Sequence, residues 1–206
     1  MFKSVIAEFK KFRSFKKNIY SFNQYEEYID KKVSLPSLHI IKQNNIHKYR
    51  ELFNVAILVE TGTYLGDMVE AQKSYFKQVF SIELGLDLYQ KAVERFKADK
   101  NVKILQGDSG NVLKDLVPKI HEPVLFWLDG HYSAGATAKS DKNTPILAEM
   151  EVILNQPLGH VILIDDARLF GVDEDYPSIP ELCQFILSIK PDRKIIVADD
   201  IISVTP

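Results

Sequence analysis

Cysteine is nearly absent. Cys183 is the only one in 206 residues, so no internal disulfide framework can staple the chain. It lies in the apolar run Leu182-Cys-Gln-Phe-Ile-Leu187, which favours an inert core thiol over a nucleophile, because reactive cysteines need an electropositive, exposed setting. No stretch approaches the ~20 apolar residues of a membrane span. The basic N-terminus also lacks the continuous apolar segment of a signal peptide. A reducing, cytoplasmic location without a membrane partner is the expectation. Charge of one sign is missing too: the formal net charge of −2 creates no field that would draw nucleic acid. There are no internal repeats and no low-complexity tracts. What remains is ordinary globular composition, 46% hydrophobic and 26% charged, enough for one sizeable core.

Two regions differ in pattern. In residues 1–50, Phe2, Val5, Ile6, Phe9, Phe12, Ile19 and Tyr20 recur at helical spacing, with Lys3, Lys10, Lys11, Arg13, Lys16 and Lys17 between them. This reads as a basic amphipathic helix. Such a helix packs on its own domain or on a second subunit, as in a homodimer; a lid over substrate and a membrane-surface helix are the other readings. Ser34-Leu-Pro-Ser37 reads as a linker, and Ile46 to Phe53 as a second helix.

Residues 51–206 alternate short β-rich runs with helical stretches. The expected strands are Val55–Glu60, Gln78–Glu83, Val102–Gln106, Pro123–Asp129, His160–Asp165 and Lys194–Ala198. The expected helices are Gly66–Tyr75, Leu86–Ala98, Asn111–Val117, Pro145–Asn155 and Ile179–Ile189. Near-continuous apolar runs such as Val161-Ile-Leu-Ile164 suit a parallel sheet covered on both faces. Two apolar runs around Asp199-Asp200 predict a terminal hairpin and an antiparallel last strand. The fold class is therefore α/β: a Rossmann-like, doubly wound, mostly parallel sheet with an N-terminal helical extension.

In open α/β sheets, ligands bind beyond the carboxyl ends of the strands. Here those ends carry Glu60, Glu83, Asp108, Asp129, Asp165 and Asp166. Glu60-Thr-Gly-Thr-Tyr-Leu-Gly66 joins the first strand to a helix. Gly62 permits a backbone conformation or close approach that a side chain forbids, and Gly66 opens a helix whose N-terminus offers free N–H groups. The pattern is not G-x-G-x-x-G, which argues against a nicotinamide cofactor. Glu83 ends the second strand, where an acid commonly accepts hydrogen bonds from both ribose hydroxyls.

On these residues, the segment from Val55 onward is similar to class I S-adenosylmethionine-dependent methyltransferases. The resemblance implies a seven-stranded sheet with an antiparallel last strand. It implies a cofactor site on Glu60, Gly62, Thr63, Tyr64 and Gly66, with Glu60 and Gly62 along the methionine part. Glu83 would hold the ribose. Gln106-Gly-Asp-Ser109 would meet the adenine, with Asp108 bonding its exocyclic amine, and Asp129 would border the cofactor.

Phe126-Trp-Leu-Asp-Gly-His-Tyr-Ser133 ends the fourth strand and Val161-Ile-Leu-Ile-Asp-Asp166 the fifth. Adjacent strands would crowd Asp129, Asp165 and Asp166. Either protonation or a hard divalent cation relieves such crowding. The layout resembles the metal-dependent small-molecule O-methyltransferases of the catechol and the macrocin and novobiocin sugar types, in which these three acids would hold magnesium. His131 suits the removal of an acceptor proton, since its unperturbed pKa lies near ~6.5. The catechol type carries a lysine just after the fourth-strand acid; here the nearest, Lys139, stands further on. Ser133–Asn143 reads as a loop bordering substrate, and Thr144-Pro145 as the start of a helix. Asp173-Glu-Asp175 reads as a solvated acidic loop. The expected activity is methyl transfer to the oxygen of a small polar acceptor, sugar-like or phenol-like. The alternatives are a non-catalytic nucleotide-binding module, a metal-dependent hydroxylase-like enzyme and a nicotinamide-dependent enzyme on a similar scaffold.

Overall fold

The computed structural model describes residues 36–130, 145–173 and 175–206. The element order is α1 His39–Phe53, β1 Ile57–Thr61, α2 Asp67–Gln72, β2 Gln78–Glu83, α3 Leu86–Arg95, β3 Val102–Gln106, α4 Ser109–Leu116, β4 Val124–Leu128, α5 Ile146–Leu154, β5 Val161–Ile164, α6 Ile179–Ile189, β6 Lys194–Ala198 and β7 Ile201–Thr205. The seven strands form one sheet in the order β3-β2-β1-β4-β5-β7-β6. β1 to β5 run parallel, whereas β7 is antiparallel to both β5 and β6. The expected doubly wound sheet and terminal hairpin are thus present. Asp199 and Asp200, between β6 and β7, both take positive φ (57° and 62°), as the tight turn of a right-twisted hairpin requires.

Burial on both faces explains the apolar strands. Along β4, Val124, Phe126 and Leu128 enter one core and Leu125 and Trp127 the other; along β5, Ile162 and Ile164 divide likewise from Val161 and Leu163. The first core also takes Met150 and Ile153 of α5 and Leu182 and Ile186 of α6. Cys183 follows Leu182 on the flank of α6 and is half-buried, less enclosed than the run around it suggests.

The second core takes Val69 of α2 and, from α1, Ile46 and Tyr49. Here the structure corrects the sequence reading, because α1 begins at His39 and not at Ile46. The first turns, His39-Ile-Ile-Lys-Gln-Asn-Asn45, are mostly polar and carry no clear apolar stripe, so they leave little periodic signal. Ser37 is likewise no free linker: it is buried, and its hydroxyl donates to the Asp199 carbonyl at 2.7 Å. α1 packs on β4 and β5, and its Tyr49 hydroxyl donates to Ser203 Oγ on β7 at 2.8 Å. The helix therefore belongs to the domain's layer over those strands. The amphipathic segment Phe2 to Tyr20 lies outside the described residues.

Because α1 completes a core layer, Ile46→Ala should lower the unfolding free energy by about 3 kcal/mol. Tyr49→Phe should cost about 1 kcal/mol. Urea unfolding followed by circular dichroism measures both; an Ile46→Ala variant as stable as the parent would mean that α1 lies outside the cooperative unit.

Candidate functional site

The strand order reverses at β1, whose neighbours are β2 and β4, so a crevice opens above its carboxyl end. The turn after β1 is held down on both sides. Gly62 N and Thr63 N donate to Ile82 O at 2.9 and 3.2 Å, while Asp129 N donates to Thr61 O at 3.1 Å. Gly62 has φ +85°, and a Cβ there would sit 2.4 Å from the Asp129 carbonyl oxygen. Only glycine fits, because both the dihedral and the closeness of the β4 backbone exclude a side chain. Tyr64 also takes positive φ, 48°, and its ring stands half exposed to solvent at the crevice mouth.

The acids at this edge have distinct partners. Glu83 is buried, and its two carboxylate oxygens accept from Tyr64 N and Gly85 N, each at 2.8 Å. It is not a solvated strand-end carboxylate; the two loops on either side clamp it in place. Glu60 is 2% exposed. Its Oε2 accepts from Ser81 Oγ, which is paired in turn with Thr63 Oγ1 at 2.6 Å. Burial pushes Glu60 from the usual 4.5 up to about 8, with Asp129 and Glu83 adding to the effect and Ser81 opposing it. Asp108 caps α4 by accepting from Asn111 N at 3.0 Å, and Ser109 is the first, buried residue of that helix.

Asp129, Asp165 and Asp166 do come together: each offers an oxygen within 4.8 Å of the others, the spacing of a cation site. Asp165 is 3% exposed, and its Oδ1 is buried without a hydrogen-bond partner among the described residues. Burial, with Asp129 and Asp166 adding negative charge, pushes the Asp165 carboxyl up, and Lys42 opposes the shift. Asp166 stands at φ +55° and accepts from Arg168 Nη1 at 2.7 Å; the same guanidinium pairs with buried Asp200. An orphaned carboxylate oxygen and three hard oxygen donors fit a divalent cation. His131, Ser133–Asn143 with Lys139, Thr144 and Glu174 lie outside the described residues. Asp173 serves its own turn, accepting from Asp175 N at 3.0 Å.

Three further groups escaped the sequence reading. Lys42 of α1 ion-pairs with Asp165 Oδ2 and lies 3.8 Å from Asp166 Oδ1. Burial works against its charge, but Asp165 and Asp129 hold the ammonium above the usual lysine range. No local pattern links residue 42 to residue 165. His39, one turn earlier, is held below the usual histidine range by burial, with Asp67 and Asp129 opposing. Glu149 of α5 is 1% exposed; burial pushes it up to about 7, against the Ser109 hydroxyl. This one had a signal, since Glu149 occupies an inward position between Ile146 and Met150 or Ile153 on an apolar helix. With Asp129, Gly130, Asp165 and Tyr176 it lines a small, partly open pocket.

No protein-family profile matches the chain, and no curated protein matches it. Solved structures do. An O-methyltransferase from Bacillus cereus in complex with SAH aligns with a TM-score of 0.59 at 14% identity, covering 93% of each chain. The O-methyltransferase TomG from Streptomyces achromogenes, involved in tomaymycin synthesis and bound to SAM, aligns at 0.57 and 15%, covering 94% of this chain and 92% of that one. The 23S rRNA methyltransferase ErmE aligns at 0.52 and 15%, covering 83% and 69%. The chain therefore has the class I methyltransferase fold expected from its sequence, a fold used on both small-molecule and RNA pathways. No described helix is long and apolar enough to cross a membrane.

The Glu60 shift has a measurable sign. A carboxyl whose folded value exceeds its unfolded one binds its proton more tightly in the fold. Its stabilisation is complete below about 4.5 and is lost as pH climbs through about 8. Between these limits the melting temperature of the ligand-free parent should fall more steeply than that of Glu60→Gln, whose amide stays neutral. Scanning calorimetry across the range checks this, and parallel curves would refute the assignment.

Proposed function

We propose that the chain is an S-adenosylmethionine-dependent methyltransferase that methylates a hydroxyl of a small polar acceptor with the help of a divalent cation. One observation carries the reading. The Asp129, Asp165 and Asp166 oxygens converge on the crevice that also holds the Gly62 turn and clamped Glu83. When bound, the cofactor supplies an already activated methyl group, and the cation supplies positive charge beside the acceptor oxygen.

The chain's own residues then have mainly to bind and orient. Glu83, fixed by Tyr64 N and Gly85 N, keeps spare acceptor capacity on each oxygen for a ribose diol. Glu60, Gly62, Thr63, Tyr64 and Gly66 form the wall along the methionine part. Asp108 and Ser109, at the head of α4, meet the adenine. Asp129 borders both the cofactor and the cation, and Asp165 and Asp166 complete the oxygen set. Arg168 and Asp200 hold Asp166 at its unusual dihedral. His131, two residues past Asp129, is the group assigned to the acceptor proton. Of residues 1–50, those from Ser37 onward belong to the domain, so the lid or homodimer role is assigned to the residues before them, and a cytoplasmic setting suits a chain with one half-buried cysteine.

The reading separates two classes of variant. Glu83→Ala should weaken S-adenosylhomocysteine binding about tenfold or more, since a charge-assisted pair is lost, and calorimetry reads this. Asp165→Asn should leave that affinity within a few-fold while abolishing release of S-adenosylhomocysteine in the presence of a panel of hydroxylated acceptors. Turnover that survives exhaustive chelation would remove the cation from the proposal. Failure of the folded parent to bind either S-adenosylmethionine or its product would overturn the proposal as a whole.

A further inference from the structure

The cation reading above leaves one side chain unaccounted for, and the inference rests on that reading. Lys42 reaches from the first turns of α1 into the acidic trio, where its ammonium pairs with Asp165 Oδ2 and stands 3.8 Å from Asp166 Oδ1. Its side chain is 14% exposed, against 1% for Asp165 and 6% for Asp166. We infer that Lys42 is a resident counter-ion that holds the cation's place, so that a divalent cation binds only by displacing its ammonium from Asp165.

Geometry carries the exclusion. A hard cation takes carboxylate oxygens at about 2.0–2.6 Å. A cation taking Asp165 Oδ2 would therefore need the space beside that oxygen which the ammonium already occupies. Two like charges that close in a desolvated pocket repel strongly. The other oxygen of Asp165, Oδ1, is buried and has no hydrogen-bond partner among the described residues, and a cation taken there would still stand beside the ammonium held on the same carboxylate. α1 and the residues leading into it have further anchors that do not use the trio. Tyr49 bonds Ser203, Asn45 bonds Asp199 Oδ2 at 3.2 Å, and Ser37 bonds the Asp199 carbonyl. Release of Lys42 is thus a swing of one flexible side chain on a helix that stays docked.

The exchange also accounts for charge. Lys42 faces Asp165 and Asp166, and Arg168 faces Asp166 and Asp200, so two basic side chains share these three acids. Lys42 balances Asp165 before a cation arrives, and Arg168 remains on Asp166 and Asp200 afterwards.

The test uses the full chain with manganese or magnesium as the probe. Calorimetric titration should show Lys42→Met binding manganese at least tenfold more tightly than the parent, with Lys42→Gln as a second variant should the first fold poorly. On the parent, brief acetylation with acetic anhydride read by mass spectrometry should show Lys42 modified several-fold faster with magnesium than with chelator, while exposed Lys103 reacts equally in both. Equal manganese affinity in the parent and the variants would overturn the exclusion and leave the cation site standing. So would tighter binding by the variants without any change in Lys42 acetylation. Absence of cation binding in every protein would overturn both the site and the inference.

Discussion

Glu60, Asp129, Asp165 and Glu149 share one wall of low dielectric, and each negative charge buried there makes the next more costly. Most of the site answers to this constraint. Glu60 and Glu149 are driven toward their neutral forms, to about 8 and about 7. Glu83 is held by two backbone N–H groups, one on each carboxylate oxygen. Asp165 and Asp166 instead recruit cations from distant parts of the chain, Lys42 from α1 and Arg168 from the segment after β5. The same carboxylate chemistry at one sheet edge thus resolves in three ways, by protonation, by backbone donors and by ammonium or guanidinium partners.

The sheet makes this crowding unavoidable. β1 lies between β2 and β4, so the turn leaving it must pass under the end of β4. The Asp129 carbonyl stands 2.4 Å from where a Cβ on Gly62 would be. That closeness brings the acid after β4 beside the cofactor turn, and parallel pairing of β4 with β5 then places Asp165 next to it. The acidic trio is a consequence of strand order combined with one acid at each strand end.

This is also why so much was readable from the sequence. Strands buried on both faces leave continuous apolar runs, and β2, β3 and β6 begin and end where the pattern places them. Acids that follow such runs advertise the ligand edge. What the pattern could not carry was contact across layers. Lys42 belongs to polar helical turns with no apolar stripe, and its partner lies 123 residues away. The Arg168 bridge to Asp200, 32 residues on, depends on the β7 hairpin returning beside β5, which topology decides and local spacing does not. Glu149 shows the intermediate case: an acid at an inward helical position was visible, but its purpose emerges only when the neighbours are in place.

Those neighbours are informative. Glu149 sits behind Gly130, where a Cβ would fall 3.0 Å from Thr61 Oγ1 and 3.4 Å from Glu149 Oε1, and Ser109 is the hydroxyl that most favours its ionised form. Thr61 ends β1, Ser109 opens α4 and Gly130 follows β4, so one carboxyl underlies all three loops of the crevice. Thr61 stands close enough to favour the ionised carboxylate, yet Thr61 Oγ1 and Glu149 Oε1 make no well-formed hydrogen bond among the described residues. An interior optimised for stability alone would satisfy or remove such groups, because each orphaned polar atom costs about 1–3 kcal/mol. Thr61 Oγ1, Glu149 Oε1 and Asp165 Oδ1 are three such atoms on residues at the crevice, where a ligand's polar groups can meet them. The floor of the crevice therefore points to the same place as the acids on its rim, by an argument that makes no use of strand-end spacing.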